Sequence, residues 1–288
     1  MGRDITCKIQ QSPRKRTLSS ILPSVHAAPS PPGVLAALAR GYDRASADAL
    51  AVFAVMVSVV LAVWGHLFDF TTPDWLFLGI WAAMTAILCW RVRAARDVPR
   101  ALVGLLGGLA IEAWGTVTDL WTYDTHERPP LWIVPAWPVA TLAIDRLAAL
   151  ALLALPRRAE RVTLPLLAAF VAWMAWFARP SWGSPATWAA LAAMVLVVAI
   201  RGDRRLDLAL FVAGTALGVF LEYWGTSREC WTYWTREVPP PIAAVAHGFA
   251  SVAFQRVIDV ASLLTRALRP SPVRAKSAVR AGSSRFRR

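Results

Sequence analysis

The segment EAWGTVTDLWTYDTHERPP at 112–130 recurs later in the chain as EYWGTSRECWTYWTREVPP at 222–240. Eleven of the 19 positions are identical, and at one of the others Asp119 is matched by a second acid, Glu229. Long apolar runs flank both segments at the same offset. A repeat at a fixed interval indicates that one structural unit occurs twice. We therefore predict a duplicated fold.

The composition favours a membrane protein. Apolar residues make up 57% of the 288 residues, the mean hydropathy is +0.46, and 17% of the residues are charged. A soluble domain carries roughly 25% charged residues. Several apolar runs reach the ~20 residues with which a helix crosses a hydrocarbon core, and lipid requires such runs to be helical because it offers free backbone groups no partner. We predict an all-α integral membrane protein and exclude a soluble one.

The apolar runs predict about eight transmembrane helices in two parallel repeats of four, a 4+4 arrangement. The predicted helices lie at roughly 48–68, 74–91, 101–122, 130–155, 160–178, 185–200, 206–227 and 240–265. Repeats with an even helix count are related by a pseudo-two-fold axis along the membrane normal. The predicted domains are a disordered basic tail at 1–46, a first repeat at 47–156, a second repeat at 157–266 and a disordered basic tail at 267–288.

The arginine distribution predicts the orientation in the membrane. The connectors after helices 2, 4 and 6 hold ten arginines, whereas those after helices 1, 3, 5 and 7 hold four, and both tails are basic. Cytoplasmic loops carry the excess of Lys and Arg. Both termini are therefore predicted to be cytoplasmic, with the two Trp-Thr-Tyr loops outside, in a membrane such as the bacterial inner membrane.

Other function classes find little support in the sequence. The net charge of +13 is spread over tails and connectors without a nucleic-acid-binding motif, so no nucleic-acid partner is predicted. Cys7, Cys89 and Cys230 lie far apart, which indicates neither a zinc site nor a disulfide framework. Four histidines are too few for a di-iron centre. We expect no metal and no cofactor, and the sequence leaves the oligomeric state open.

The acidic residues of the repeated segment are candidates for catalysis. Glu112 lies about ten residues from the outer end of its predicted helix, which is roughly 15 Å deep at 1.5 Å per residue. Ionisable groups at such depth are costly unless paired or hydrated, and they commonly mark functional sites. Asp119 lies two turns further along the predicted helical face. The six candidates are Glu112, Asp119, Glu127, Glu222, Glu229 and Glu237.

An alternative interpretation is purely structural. Arg146 and Arg256 lie in the predicted helices 4 and 8, and the same interval separates them as separates Glu112 from Glu222. They could form interhelical ion pairs with these glutamates, since a buried charge with a partner is stable and an orphan is not. This alternative would remove the two glutamates from the list of proton donors.

Aromatic residues cluster with the acids and could bind the substrate. Aromatic faces attract cations, and an apolar pocket keeps a carboxylic acid protonated, a combination that suits protonation of an alkene. His247 takes the place of Trp137 in the second copy, as an acid–base partner or as a packing residue. Pro135 and Pro138 predict that helix 4 is kinked or locally unwound, with carbonyls freed toward a cavity. The aromatic candidates are Trp114, Trp121, Tyr123, Trp132, Trp137, Trp224, Trp231, Tyr233 and His247.

The first copy also resembles a known family. It contains the run Gly108-x3-Glu112-x2-Gly115-Thr116-x4-Trp121-x-Tyr123 followed by Pro135-x-Trp137-Pro138. This run resembles the membrane carotenoid-biosynthesis proteins of the CruF type, multi-helix hydratases that add water across the terminal double bond of acyclic carotenoids such as lycopene. Val117-Thr118-Asp119-Leu120 replaces the usual glycine- and tyrosine-rich stretch of that family. The duplicated, acidic small membrane lycopene cyclases are a second resemblance.

The resemblance implies an activity on an isoprenoid lipid. It implies that Glu112 is a pocket acid and that Trp121, Tyr123, Pro135 and Trp137 line the substrate channel. The acid would protonate a trisubstituted alkene, and water held by Asp119 or Glu127, or an internal alkene in a cyclase, would capture the cation. The competing hypothesis is a transporter or lipid-binding scaffold with the same carboxylate-lined cavity.

Overall fold

The computed structural model describes residues 36, 39–65, 74–131 and 133–268. This part of the chain is mostly helical, which confirms the predicted all-α class. The two predicted basic tails lie almost entirely outside the described residues. The helices described are α1 Arg44–Trp64, α2 Asp74–Cys89, α3 Ala94–Val117, α4 Ala136–Ala154, α5 Thr163–Phe177, α6 Pro185–Ala199, α7 Arg204–Ser227 and α8 Pro241–Leu268.

Six helical segments of the described chain are long and apolar enough to cross a membrane. These are α1, α3, α4, α7, α8 and the segment Arg157–Phe177, in which the 3₁₀ turn Arg157–Val162 leads into α5. Helix α6 is apolar but shorter. The structure therefore supports a helical chain with six candidate spans, and the count of eight spans stays a prediction.

The inner helix ends differ from the prediction at two places that shape the site. Helix α3 ends at Val117 because Asp119 adopts a left-handed conformation with φ 55°, which a right-handed helix cannot include. Helix α4 starts at Ala136, with Pro135 as its N-cap residue and Pro138 in its first turn. Helix 4 was predicted from 130, and residues 131 and 133–135 form turns instead, in agreement with the predicted local unwinding. The alternative of a kink is wrong, since Pro138 lies near the start of the helix, where a proline leaves the hydrogen-bond ladder intact.

A two-stranded antiparallel ribbon joins the two repeated segments. Strand β1 is Trp121–Tyr123 and strand β2 is Trp231–Tyr233, paired with Trp121 opposite Tyr233 and Tyr123 opposite Trp231. The ribbon continues by one hydrogen bond at each end, from Asp124 N–H to the carbonyl of Cys230 and from Trp234 N–H to the carbonyl of Leu120. The sequence did not predict these strands, which bring the two copies into direct contact.

Glycines allow the helices that carry the site to approach closely. A Cβ on Gly218 of α7 would lie 2.4 Å from the carbonyl oxygen of Ala244 in α8, and one on Gly108 of α3 would lie 2.0 Å from the Trp137 ring in α4. Neither position tolerates a side chain without movement of its neighbour. These glycines therefore permit close helix packing, which brings α3 against α4 and α7 against α8.

Candidate functional site

Glu112 is buried at the inner surface of α3 and accepts three hydrogen bonds. Its Oε2 accepts from Trp121 Nε1–H at 3.0 Å and from the Tyr123 hydroxyl at 2.9 Å, while its Oε1 accepts from Trp137 Nε1–H at 3.1 Å. Only 5% of the glutamate is exposed. A buried carboxylate needs such donors, and here one strand and the start of the next helix supply them.

Glu222 in α7 has the matching set of partners. Its Oε2 accepts from Trp231 Nε1–H at 3.0 Å and from the Tyr233 hydroxyl at 2.8 Å, and its Oε1 lies 3.0 Å from Nε2 of His247. Each partner occupies the repeat position that corresponds to its counterpart at Glu112. The two carboxylates therefore have the same environment except at one position, where the second copy has a histidine and the first a tryptophan.

The local fold that brings each tryptophan back to its glutamate depends on a glycine. After α3 the N–H of Leu120 bonds the carbonyl of Gly115 at 2.9 Å, and the chain reverses into β1. The Trp121 ring then lies over Gly115, where a Cβ would meet the ring at 1.9 Å. Trp231 covers Gly225 at the same 1.9 Å. Glycine at both places leaves the space that the indole needs to reach the carboxylate.

Aromatic contacts join the two carboxylate sites across the ribbon. The ring centroids of Trp121 and Tyr233 are 6.0 Å apart, and those of Tyr123 and Trp231 are 5.7 Å apart. The Trp137 ring stacks on His247 with centroids 5.5 Å apart and 16° between the planes. Trp137, the third hydrogen-bond partner of Glu112, therefore contacts His247, the third partner of Glu222. The two sites form one cluster.

Both glutamates line the same cavity, which has a volume of about 700 Å³. Its wall comes from α3 to α8 and from both strands, and it is largely made of Ala, Phe, Trp, Met, Ile and Val side chains. Volumes of roughly 300–1,000 Å³ with a few polar groups are usual for small-molecule sites. The predicted site residues that line this cavity are Glu112, Trp114, Trp121, Tyr123, Trp137, Glu222, Trp231, Tyr233 and His247.

The two ribbon tyrosines act as hydrogen-bond donors. Burial raises the pKa of the Tyr123 phenol, and the neighbouring Glu112 charge raises it further. Burial and then Glu222 raise the pKa of Tyr233 in the same way. Both hydroxyls therefore keep their protons and donate hydrogen bonds to the carboxylates. Indole N–H groups can only donate, so the cluster presents donors and no fixed positive charge to Glu112.

Four of the six predicted catalytic acids lie away from the cavity. Asp119 is at the end of α3, with its side chain 62% exposed and 2.8 Å from Arg128. The predicted placement of Asp119 on the same helical face as Glu112 is therefore wrong, because the helix ends before it. Glu127, Glu229 and Glu237 are exposed in the loops around the ribbon. Glu112 and Glu222 are the acids that the cavity contains.

Two predicted substrate-binding residues do not line the cavity, and a third lies outside the described residues. Pro135 is exposed immediately before α4, and Trp224 lies outside the lining set. Trp132 lies outside the described residues. In contrast, Phe170, Met174, Phe177 and Phe254 line the cavity and were not predicted, because an apolar residue in an apolar helix carries no sequence signal for a site.

The two buried arginines pair with aspartates and not with the glutamates. Arg146 Nη2 lies 2.6 Å from Asp97 Oδ2, and Arg256 Nη2 lies 2.5 Å from Asp207 Oδ2. The predicted glutamate partners of Arg146 and Arg256 are therefore wrong. Asp97 and Asp207 are themselves separated by the repeat interval, a relation that could have identified them from the sequence. Because the two arginines pair with these aspartates, neither Glu112 nor Glu222 has an arginine among its hydrogen-bond partners.

Within the described residues no cluster of His, Cys, Asp and Glu side chains could hold a metal ion. The arrangement instead offers two carboxylates and one imidazole in an apolar, aromatic cavity. Such a cavity can transfer a proton to an apolar molecule and stabilise a positive charge on it. Comparisons with known protein families, with curated proteins and with solved structures find no match to this chain.

Proposed function

We propose that this chain is an integral membrane protein built from two parallel four-helix repeats around one lipid-binding cavity. Six apolar helical segments of spanning length support the membrane location. Large apolar side chains are exposed on the outer faces of several helices, including Leu106, Trp176, Val195 and Leu263, and extensive apolar surface favours lipid over water. In this proposal the arginine-rich connectors and both termini are cytoplasmic and the ribbon is external.

We propose further that the protein is a cofactor-independent enzyme that acts on an isoprenoid lipid of the carotenoid type. The observation that supports it best is the position of Glu112 and Glu222, two buried carboxylates on the wall of one apolar cavity. An apolar cavity selects a hydrocarbon substrate, and a carboxylic acid is the group that can protonate its alkene. The resemblance of the first copy to carotenoid hydratases adds independent support.

The first chemical step is protonation of the terminal alkene by Glu112. Its O–H bond breaks, the π electron pair forms a C–H bond at one alkene carbon, and a tertiary carbocation forms at the neighbouring carbon. The rings of Trp114, Trp121 and Trp137 line the cavity around Glu112 and stabilise the cation through their π faces. Trp121, Tyr123 and Trp137 then hold the new carboxylate by their three hydrogen bonds.

The second step captures the cation. In a hydratase the oxygen of water bonds the cationic carbon and a base takes the surplus proton, which gives a tertiary alcohol. In a cyclase an internal alkene bonds that carbon and the base then removes a C–H proton. We assign the basic side to the second copy, which contributes both Glu222 and His247 to the same cavity. These two residues replace Asp119 and Glu127 in this role because Asp119 and Glu127 are exposed in the loops.

The test is expression of the chain in a host that makes lycopene, with lipid profiling by chromatography and mass spectrometry. Hydration adds one water to the substrate mass, and cyclisation gives an isomer with a different retention time. The variant E112Q keeps the shape of the side chain and is expected to give no product. A protein that leaves every lipid unchanged but co-purifies with one is a binder or transporter, and this outcome would sink the enzymatic proposal.

A further inference from the structure

The two carboxylate sites differ in one hydrogen-bond partner. Glu112 is bound by Trp137, and Glu222 at the equivalent position by His247. The other two partners of each glutamate are identical in type and almost identical in distance. The helix, strand and glycine framework is the same at both glutamates. A chemical difference between the two sites can therefore be assigned to the one side chain that differs, Trp137 or His247.

Tryptophan and histidine give the two carboxylates different chemical properties. The indole N–H of Trp137 only donates a hydrogen bond, whereas a neutral imidazole has one donor and one acceptor nitrogen. Nε2 of His247 lies 3.0 Å from Glu222 Oε1, and its Nδ1 is buried without a hydrogen-bond partner in the structure. A proton on Nδ1 would be a buried donor without an acceptor, which is unfavourable. The resting tautomer therefore has Nε2–H bound to Glu222 and a free lone pair on Nδ1.

We propose that His247 is the general base of this cavity, with Glu222 as the positioning residue that holds its tautomer, while Glu112 is the general acid. This inference rests on the proposed function. It names Nδ1 of His247 as the atom that accepts the proton when the cation is captured in the second step. A carboxylate that orients an imidazole through one nitrogen and leaves the other free to accept a proton is the arrangement of hydrolytic triads. Here the stacked Trp137 ring fixes the plane of the imidazole.

Over one catalytic cycle the protein loses and regains the same number of protons. Glu112 loses one proton to the alkene. His247 Nδ1 is buried in the resting structure, and it gains one proton from the attacking water or from the cyclised cation when substrate binding exposes this atom to the cavity. The ring is then an imidazolium next to the Glu222 carboxylate, a pair without net charge, which an apolar cavity tolerates better than a lone cation. Transfer of that proton from His247 back to Glu112 restores both groups. Trp137, which contacts both, places them in neighbouring positions.

The other titratable groups near His247 are poorer bases for this step. The Glu222 carboxylate and, once its proton has gone to the alkene, the Glu112 carboxylate each have three hydrogen-bond partners that already occupy their oxygens. The Tyr123 and Tyr233 hydroxyls donate to these carboxylates. Among the described residues that line the cavity, the Nδ1 atom of His247 is the polar side-chain atom that is buried and without a partner.

The first test measures the tautomer and does not depend on activity. The full chain is labelled with ¹⁵N-histidine, reconstituted in lipid nanodiscs and compared with H247W by solid-state NMR, so that the missing signals belong to His247. We expect an unprotonated Nδ1 and a protonated Nε2 in the wild type, and a mixture of tautomers in E222Q. A protonated Nδ1 in the resting wild type would overturn the proposal even if the enzyme turns over lipid.

The second test exchanges the two diverged residues. H247W gives both copies the same donors and should reduce product formation by at least about 100-fold, the usual loss when a general base is removed. The double variant W137H/H247W has the composition of the wild type and moves the base to the first copy, so activity should return with Glu222 as the acid. Full activity in H247W, or loss in both variants, would overturn the proposal. If the wild type itself forms no product, the proposed function fails and the NMR result still decides the tautomer.

Discussion

A carboxyl group in an apolar cavity is stable only with hydrogen-bond donors around it. Glu112 and Glu222 each have three such partners and no arginine or lysine among them. An arginine would keep the carboxylate charged through every step. Neutral donors stabilise an anion less strongly than an arginine does, which suits the proposed release of a proton from Glu112. The side chains around Glu112 therefore fit its proposed role as an acid.

The hydroxyl of Tyr123 supplies one testable part of this stabilisation. Y123F removes one of two donors to Glu112 Oε2 without changing the ring. We expect a loss of about 1–3 kcal/mol in the free energy of unfolding, the usual cost when a buried polar group loses its hydrogen-bond partner, together with reduced product formation. Denaturant unfolding in detergent measures the first quantity. Y223F is the matched control, since Tyr223 is 63% exposed on α7, and an equal loss there would contradict the assignment.

At this scale the repeat predicted the site residues but not the ion pairs. Identity between the copies identified Glu112, Trp121 and Tyr123 with their counterparts, because those residues repeat in type and spacing. The partner of Arg146 was predicted wrongly because helix 3 was expected to end at 122, which placed Glu112 deeper than it lies. Helix α3 ends at Val117, five residues after Glu112, and Arg146 lies well beyond Trp137, the neighbour of Glu112. Nine residue steps separate Trp137 from Arg146, a rise of roughly 13 Å.

At the scale of helices, buried ion pairs join α3 to α4 and α7 to α8. The two equivalent aspartates, Asp97 and Asp207, differ in the number of hydrogen-bond donors that they accept from. Asp97 also accepts from Arg96 and from the Arg93 backbone N–H, whereas Arg256 is the only side-chain partner of Asp207 within the described chain. Removal of the arginine therefore leaves Asp207 buried and unpaired, while Asp97 keeps other donors.

This difference predicts a ranking of stabilities. R256L should cost about 3–5 kcal/mol in unfolding free energy, as expected for a stranded buried charge, and R146L should cost less. R128A is the control, because the Arg128–Asp119 pair is exposed at 51% and 62% and such pairs contribute about 0–1 kcal/mol. Chemical denaturation in detergent gives all three values. A larger loss for R146L than for R256L would show that the remaining donors of Asp97 do not compensate.

The helices also determine how a lipid reaches the cavity. Ala110 and Val117 of α3 and Ala189 and Ala193 of α6 line the cavity, and Ala110, Val117 and Ala189 are exposed at the protein surface. Small side chains from two helices at one rim indicate that the cavity opens between α3 and α6. A hydrogen bond of 3.2 Å from Trp114 Nε1–H to Thr187 Oγ1 joins these two helices. An opening on this side would let a hydrocarbon chain pass directly from the bilayer.

Two alanines of α6 test this route. Ala189 lines the cavity and Ala192 does not, although both are exposed. A189W should fill the opening and lower product formation by about tenfold or more, the rate equivalent of a 1–3 kcal/mol steric penalty, while A192W should behave as the wild type. Lipid profiling and thermal stability are measured together for both variants. Equal activity of A189W and A192W would place the lipid path elsewhere.

The sequence predicted the helices well and the ribbon not at all. Long apolar runs identify helices because lipid or a core covers them on most sides, and each predicted run overlaps a helix of the described chain. Strands β1 and β2 have three residues each, too short for an alternating pattern. Their pairing depends on contact between residues far apart in the chain, which local propensity does not encode.

At the scale of the molecule, the two repeated segments and the helices that follow them account for the position of the cavity. They meet through the ribbon and through the stack of Trp137 on His247, so both contribute to the cavity wall. Each copy supplies one carboxylate. A single repeated segment would leave the cavity open on the side opposite its carboxylate. With both segments present, the exchange of Trp137 for His247 gives the two carboxylates different surroundings and, in the proposal, different roles.

The proposed orientation of the whole chain gives the last prediction. In two parallel repeats the loops that carry Glu127 and Glu237 lie on one side of the membrane, and the connectors that carry Arg158 and Arg201 lie on the other. All four side chains are exposed in the structure, so single cysteines there can be labelled without disturbing the core. The arginine bias places the two glutamate loops outside the cell.

The experiment uses single cysteines in a background in which Cys7, Cys89 and Cys230 are serine. In intact cells a membrane-impermeant maleimide should label E127C and E237C equally, because the ribbon holds both loops at the same end of the bundle. R158C and R201C should react only after permeabilisation. Labelling of E127C and E237C from opposite sides would contradict the parallel arrangement, and it would be incompatible with a membrane around the bundle, since paired strands cannot lie on both sides of a bilayer.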